Sequence, residues 1–502
     1  MKKNILMILF VMFAFTIFCT TAYAQGVEVP ENIRIGLFYG SKAVDVLTLS
    51  SPGGIEIGTM CEGEFEYIDE VGENEEIVIT RSEEDGSVYI DGIGEIGSDY
   101  EYPYFISIEN KDKCLMNING KTYRGNVEIR RFSDSDMTVI NHLSMQEYLY
   151  GVVPREIGGN SPIEAVKAQA VVARTYATKN YGRRDSWGFD LYPTVDDQAY
   201  GGYEWENQNS NNAVDETYGQ VIVYNGELIG GYYFSTSGGY TESSENVWGG
   251  KFDYLKAVPD YYEPEIEGNT SWEVEYTADE VKKKLAAYGI DVGEIIDLEP
   301  IEYTESGRVL ELRVVGTDGE KILTKATTRT YLGLKSQWYT INDIAPQAVK
   351  IVDNELPSKG SEDKLMDDFN NNEYEEDDDY IAIRPNYAND EGRVKVDKEE
   401  NGNKVEKEEE NREENKEMKP LLKKIVESIL DNTFASNLLG ENIEEIRTEY
   451  KAVKNNYTFT FRGRGWGHAV GMSQNGAKGM AEEGFTCEEI ITWYYSGVEV
   501  VD

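Results

Sequence analysis

Three charged residues are placed as chemistry would require. Glu156 lies in the stretch Gly151 to Asn160, which reads as a loop, and Lys167 and Arg174 follow it in SPIEAVKAQAVVARTYATKN. On a helix, seven residues make two turns, so Lys167 and Arg174 share a face. A carboxylate ahead of a helix with two cations can be a site; the bland alternative is a solvated surface charge. One carboxylate suffices to break a glycosidic bond when the nucleophile belongs to the substrate. The acid protonates the leaving oxygen. The same group, now a base, takes the proton of an internal hydroxyl as that hydroxyl attacks the anomeric carbon.

Other chemistries are poorly supplied. There are two histidines, His142 and His468, and Cys487 falls in what reads as a C-terminal helix, so neither a Ser-His-Asp nor a Cys-His arrangement is favoured. A zinc site needs three or four ligands in fixed geometry, and the scattered Cys and His residues lead us to expect no metal and no cofactor. GRGWGHAVG lacks the lysine and the strand–helix context of a phosphate loop. His468 within it reads as a structural histidine donating to backbone.

The elements that position Glu156 can be read around it. Ser161 is a good N-cap, Pro162 suits the first helical position, and Glu164 completes an S-x-x-E capping box. Ile163, Val166, Ala170, Ala173 and Ala177 recur at helical spacing, which predicts one buried, alanine-rich stripe that another element can approach closely. A short helix over Ser144 to Tyr150 carries a second capping box, Ser144 and Glu147. Before it, residues 25–131 read as strands. Ile33, Ile35 and Leu37 alternate, and Pro52-Gly53-Gly54, Asp85-Gly86 and Asn119-Gly120 mark turns. Residues 181–212 read as an aromatic loop containing Trp187, Phe189, Tyr192, Tyr200, Tyr203 and Trp205. Gln220 to Tyr224 and Glu227 to Phe234 form a hairpin about Asn225-Gly226, and a Ser/Gly-rich loop runs from Ser235 to Gly250. A helix over Thr277 to Tyr288 has a T-x-x-E cap, and strands follow as far as Ile341.

Bulk composition narrows the partners. The 502 residues include 48 basic and 93 acidic ones, for a net charge of -45. That field has the wrong sign for holding nucleic acid by its phosphates. The 35 tyrosines suit sugar-binding surfaces, although strand propensity accounts for most of them. Lys2 and Lys3 precede an apolar run ending in Ala22-Tyr23-Ala24, so residues 1–24 read as an export signal; the rival reading is an uncleaved membrane anchor. Cys61, Cys114 and Cys487 are too few and too scattered for a disulfide framework. A Cys61–Cys114 pair and free thiols both stand open. From Asp353 to about Met418 the chain is rich in Asp, Glu, Lys and Asn and cannot bury enough apolar surface to order itself. A helical stretch near 420–450 follows it.

Several long segments, in order, resemble one family. YLYGVVPREI, SPIEAVKAQAVVARTYA, YYFSTSGGYTESSENVW, LGLKSQWY and GRGWGHAVGMSQNGAKGMA are similar to the SpoIID/LytB family, which comprises stage II sporulation protein D lytic transglycosylases and modifier proteins that enhance cell-wall amidases. The resemblance implies a peptidoglycan-binding groove. For the enzyme branch it implies glycan-strand cleavage without hydrolysis, in which the C6 hydroxyl of N-acetylmuramic acid attacks to give a 1,6-anhydro end, with a preference for peptide-stripped strands. Glu156 then takes the place of the catalytic acid, and Lys167 and Arg174 match groove cations. Tyr233 is a candidate for positioning sugar, Glu242 is a second carboxylate candidate, and Ser235 and Ser237 shape the loop. Some relatives hold zinc by a Cys/His cluster where this chain has FDLYPTVDDQAYGG, with Gln198 and Tyr200 remaining from the surrounding pattern.

The expected fold is α+β: a strand-rich core with a few packed helices, a β-rich N-terminal portion and a disordered acidic insertion. The expected order is 1–24 signal or anchor, 25–131 β-rich region, 132–345 core, 346–455 insertion, and 456–502 the rest of the core. Because the insertion interrupts the core, its ends near Ile341 and Phe459 should meet. The expected function is an exported peptidoglycan lytic transglycosylase at the cell wall or the extracytoplasmic face of the membrane, its partner the glycan strand. The alternative is a non-catalytic wall-binding modifier whose partner is a cell-wall amidase. No nucleic acid is expected, and membrane contact only if the N-terminal segment stays uncleaved.

Overall fold

The computed structural model describes residues 27–61, 64–82, 87–96, 105–111, 114–131, 137–342 and 458–502. The export segment 1–24 and the acidic insertion 346–455, with its helical stretch, lie outside the described residues. The described chain divides into two compact units, one running to Tyr233 and taking in Ala477–Asp502, the other spanning Phe234–Gly476.

The first unit is built on alternation. Ile33, Ile35, Leu47, Leu49, Ile55, Ile57, Ile77, Ile79, Ile106, Ile108, Val127 and Ile129 are all buried, each two residues from its partner, so the strands that carry these pairs turn that face to the core. The strands make two six-stranded sheets. In spatial order the first is Asn32–Phe38, Thr138–Ser144, Asn126–Arg130, Phe105–Asn110, Ile55–Cys61 and Glu64–Val71. Asn119 and Gly120 both adopt positive φ, the hairpin turn expected of that dipeptide. Asn225 and Gly226 do the same beyond Val221–Tyr224. The strand expected over Glu227 to Phe234 is shorter than its sequence suggests. Pairing with 221–224 stops after Glu227–Leu228, and Gly231 turns at φ 57° with its α-carbon against the earlier helix Ile163–Lys179, where a Cβ would lie 2.9 Å from Tyr176 N and Val172 O.

Three helices of this unit carry the site: α1 (Met145–Val153), α2 (Ile163–Lys179) and α3 (Gln208–Glu216). Helix α1 starts on the anticipated capping box, in which Ser144 Oγ accepts from Glu147 N and Glu147 reaches back to Ser144 N, worth about 1 kcal/mol. Helix α2 departs from expectation in two ways. Its start is not a capping box: Ser161 Oγ donates to Ile157 O at 2.8 Å, and Glu164 accepts from Lys167 and from Cys487 N instead. It is also buried on every side from Val171 to Thr178 rather than along a stripe, because α1, α3, the strand Val221–Tyr224 and the helix Cys487–Tyr494 pack around it. Helix α3 begins within the stretch 181–212 that the sequence reads as loop, and runs on beyond it.

The second unit has its own core of Trp272, Val281, Leu285, Leu298, Leu312, Val314, Ile341 and Phe461, among others. The helix Ala278–Ala286 starts on the expected Thr277/Glu280 capping box. Ser271–Thr277, Thr458–Arg464 and Tyr339–Ile341 form an antiparallel sheet in which Ile341 pairs with Phe461. Asn342 N donates to Thr460 O at 2.9 Å. The two ends flanking the insertion therefore meet as neighbouring strands. Cys114 and Cys487 are free thiols. No helix among the described residues is long and apolar enough to cross a membrane.

Candidate active site

Glu156 is set by the end of helix α1. Pro154 brings no N–H to continue the helical ladder, and the chain widens into a π-helical turn, Pro154–Gly158, closed by Gly158 at φ 89°. Turns of this kind recur at functional sites. Glu156 is therefore the product of a distorted helix end, not of the loop that its sequence suggests. Its side chain is half-buried, and Oε1 accepts from Ala199 N at 2.8 Å.

The donor belongs to a loop held at several points. Asp197 is buried and accepts from Tyr192 N at 2.9 Å and from the Tyr176 hydroxyl at 3.3 Å, while Arg183 and Arg184 pair with it. Tyr200 donates to Asn141 Oδ1 at 2.8 Å, and Gly201 N donates to Gly151 O. Gly151 has to be glycine, since a Cβ there would meet the Tyr200 ring at 2.6 Å. Between these anchors, the fully buried Gln198 accepts from the Tyr148 hydroxyl at 3.3 Å. Its amide donates to Ala173 O at 3.3 Å and to the Tyr233 hydroxyl at 3.1 Å. Gln198 thereby fixes both phenols. Burial first, and the charge of Glu156 second, push the Tyr148 and Tyr233 hydroxyls well above the usual tyrosine range. Both stay neutral donors at any working pH. Tyr233 takes Gln198's proton on its oxygen, and its own hydrogen has no acceptor among the described residues, so it is free for a ligand.

The other sequence candidates lie elsewhere. Lys167 pairs with Glu164 at 2.9 Å and Glu216 at 2.7 Å, tying α2 to α3. Arg174 is 1% exposed and donates to Gln220 O and Val214 O; burial pushes its guanidinium down to about 10. Neither contacts Glu156, and Arg174 offers no cation to a groove. The cause is the all-round burial of α2, which periodicity cannot foresee. Glu242 belongs to the second unit, where Ser243 N, Asn246, Thr304 and Ser306 donate to it. There too, His468 Nδ1 accepts from Val470 N at 3.1 Å, and Ala469 takes φ 68° where glycine would sit without strain. Ser237 shapes its loop, donating to Glu263 and accepting from Gly239 N. Tyr148 was missed. It lies eight residues before Glu156, and only the distorted helix end unites the two.

Comparison with known proteins finds relatives for the segment that holds these residues. Residues 133–224, which contain Glu156, Tyr148 and Gln198, match the family described as Stage II sporulation protein (SpoIID). Residues 262–354 match a domain of unknown function (DUF8618). The Amidase enhancer of Bacillus subtilis is 27% identical over 353 residues, covering 70% of this chain and 39% of that protein. An uncharacterized protein of Brachyspira hyodysenteriae is 32% identical over 219 residues, 43% of this chain and 58% of its own length. Stage II sporulation protein D of Bacillus subtilis is 31% identical over 164 residues, 29% of this chain and 47% of that protein. The chain thus spans about half the length of the curated relatives it matches.

Proposed function

We propose, from the premise that residues 133–224 of this chain belong to the SpoIID family, that the chain acts on the bacterial cell wall as a lytic transglycosylase of peptidoglycan. The observation that carries the reading is Glu156, half-buried, with a backbone N–H on one oxygen and two neutral phenols held beside it by Gln198. Protonated Glu156 gives its proton to the oxygen that links C1 of N-acetylmuramic acid to the next N-acetylglucosamine. The C1–O bond breaks, and the carboxylate takes the proton of the muramoyl C6 hydroxyl as that oxygen bonds to C1. A 1,6-anhydro end and a new N-acetylglucosamine hydroxyl result, and no water is consumed. The Ala199 N–H fixes the carboxyl plane, and Tyr233 donates to sugar. Arg174 and Lys167 act as positioning residues, packing α2 against α3. In this proposal the protein works outside the cytoplasm, where its substrate lies.

A second reading has its own support, because a relative matched over 70% of this chain is named an amidase enhancer. On that reading the chain binds wall glycan and stimulates a cell-wall amidase, and Glu156 is a binding residue. One experiment separates them. Purified chain is incubated with peptide-stripped glycan and with intact sacculi, with and without an amidase, and soluble products are identified by mass spectrometry. Release of 1,6-anhydro ends without amidase supports the transglycosylase. Faster peptide release only when amidase is present, with no anhydro ends, overturns it in favour of the modifier.

A further inference from the structure

The proposed reaction leaves one cation of the site unused. Arg155 stands beside Glu156 in the same π-helical turn, and its side chain is exposed. Its guanidinium lies 4.1 Å from the centre of the Trp205 ring, and Trp205 is itself 46% exposed. No carboxylate or carbonyl among the described residues accepts from the Arg155 side chain. Its neighbours differ. Lys167 is doubly paired, Arg124 pairs with Glu206 at 2.6 Å, and Arg174 is spent on carbonyls. In a chain of net charge -45, a guanidinium with no internal partner keeps its donors for something from outside.

The same loop that holds Glu156 presents the indole. Ala199 N bonds Glu156, Gly201 N bonds Gly151 O, and the turn Tyr203–Trp205 follows. Gly201 lets the indole pack down on this loop, since a Cβ there would lie 2.4 Å from Trp205 Cδ1. An exposed indole carrying a flat guanidinium suits a sugar ring that bears a carboxylate. The ring's C–H surface rests on the aromatic face, and the carboxylate takes the parallel N–H pair.

We infer that Arg155, held on Trp205, binds the free carboxylate that a muramoyl residue shows on its lactyl group once its peptide is gone. Peptide-bearing strands carry a neutral amide at that atom, so the subsite tells the two by charge. This inference rests on the peptidoglycan reading of the Glu156 site.

The test uses the full chain with Glu156→Gln to prevent turnover. Its affinity is measured for soluble peptide-stripped strands and for the same strands with their lactyl carboxylates capped as N-methylamides. The free acid is expected to bind about fivefold tighter at low salt. Adding Arg155→Gln should bring the ratio close to one, and Arg155→Lys should leave it between. A ratio near one before Arg155 is changed, or a ratio that survives Arg155→Gln, overturns the inference. Cleavage is scored separately in the parent chain. A preserved ratio without anhydro ends removes the transglycosylase alone, and anhydro ends without a dependence on Arg155 remove this subsite alone.

Discussion

Glu156 and Glu242 are both glutamates that the sequence marks as candidates, and the structure gives them opposite surroundings. Glu242 is 1% exposed. Its Oε1 accepts from Ser243 N at 2.7 Å and Asn246 Nδ2 at 2.9 Å, and its Oε2 from Thr304 and Ser306 at 2.6 Å each. Four donors fill the four acceptor positions of a carboxylate. The buried Arg308 extends the network, donating to Ser306 Oγ and to the carbonyls of Ser237, Tyr240 and Thr241. Glu156 is half-buried and ringed by neutral phenols. A carboxylate with every lone pair engaged is a structural clamp; one that keeps a solvent-facing side in an apolar, phenol-lined setting can exchange a proton with a ligand.

The contrast is sharpened by substitutions at both carboxylates. Glu156→Gln should slow release of anhydro ends about a thousandfold with the melting temperature nearly unchanged; a large fall in melting temperature would instead make Glu156 a second clamp. Glu242→Ala should cost about 3 kcal/mol of stability, since it strands several buried donors. Chemical denaturation reads this out, and a loss under 1 kcal/mol would break the contrast from the other side.

Glu263 offers an intermediate case. It accepts from Ser237 N at 2.6 Å, Gly238 N at 2.7 Å and Ser473 Oγ at 2.9 Å, yet burial first, and the charge of Asp260 second, push its carboxyl up from 4.5 to about 7. The folded chain then holds a proton that the unfolded chain releases. The resulting stability is full below pH 4.5 and is lost as pH rises through about 7. Glu263→Gln should therefore reduce the fall in stability between pH 5 and pH 8 by about 2 kcal/mol. An unchanged fall would place the titration on another group. The smallest expected effect is that of Tyr233→Phe, which removes the hydroxyl proposed to donate to sugar. Turnover should drop about tenfold, and an unchanged rate would take Tyr233 out of the site.

Much of the scaffold was legible because its signals are local. Ser144 with Glu147, and Thr277 with Glu280, act within one helical turn, and Asn225-Gly226 dictates its own turn. The paired ends at Ile341 and Phe461 followed from finding core motifs on both sides of an uncommitted acidic stretch. What escaped was set by distant partners. Glu164 looked like a capping residue, but Cys487 N, far along the chain, claims its carboxylate. Arg174 looked like a groove cation, but the helix Cys487–Tyr494 and other elements close over α2. Glu156 is marked by its sequence setting, whereas Tyr148 and the clamp made by Gln198 are not, since a buried amide bridging two phenols leaves no spacing in the sequence.

The most direct measurement is digestion of peptide-stripped glycan in oxygen-18 water by the parent chain and by Glu156→Gln, side by side, with product ends resolved by mass spectrometry. The expected result is 1,6-anhydro ends without label from the parent, and none from Glu156→Gln. Labelled reducing ends, or equal release from both chains, would contradict a single-carboxylate, non-hydrolytic site at Glu156.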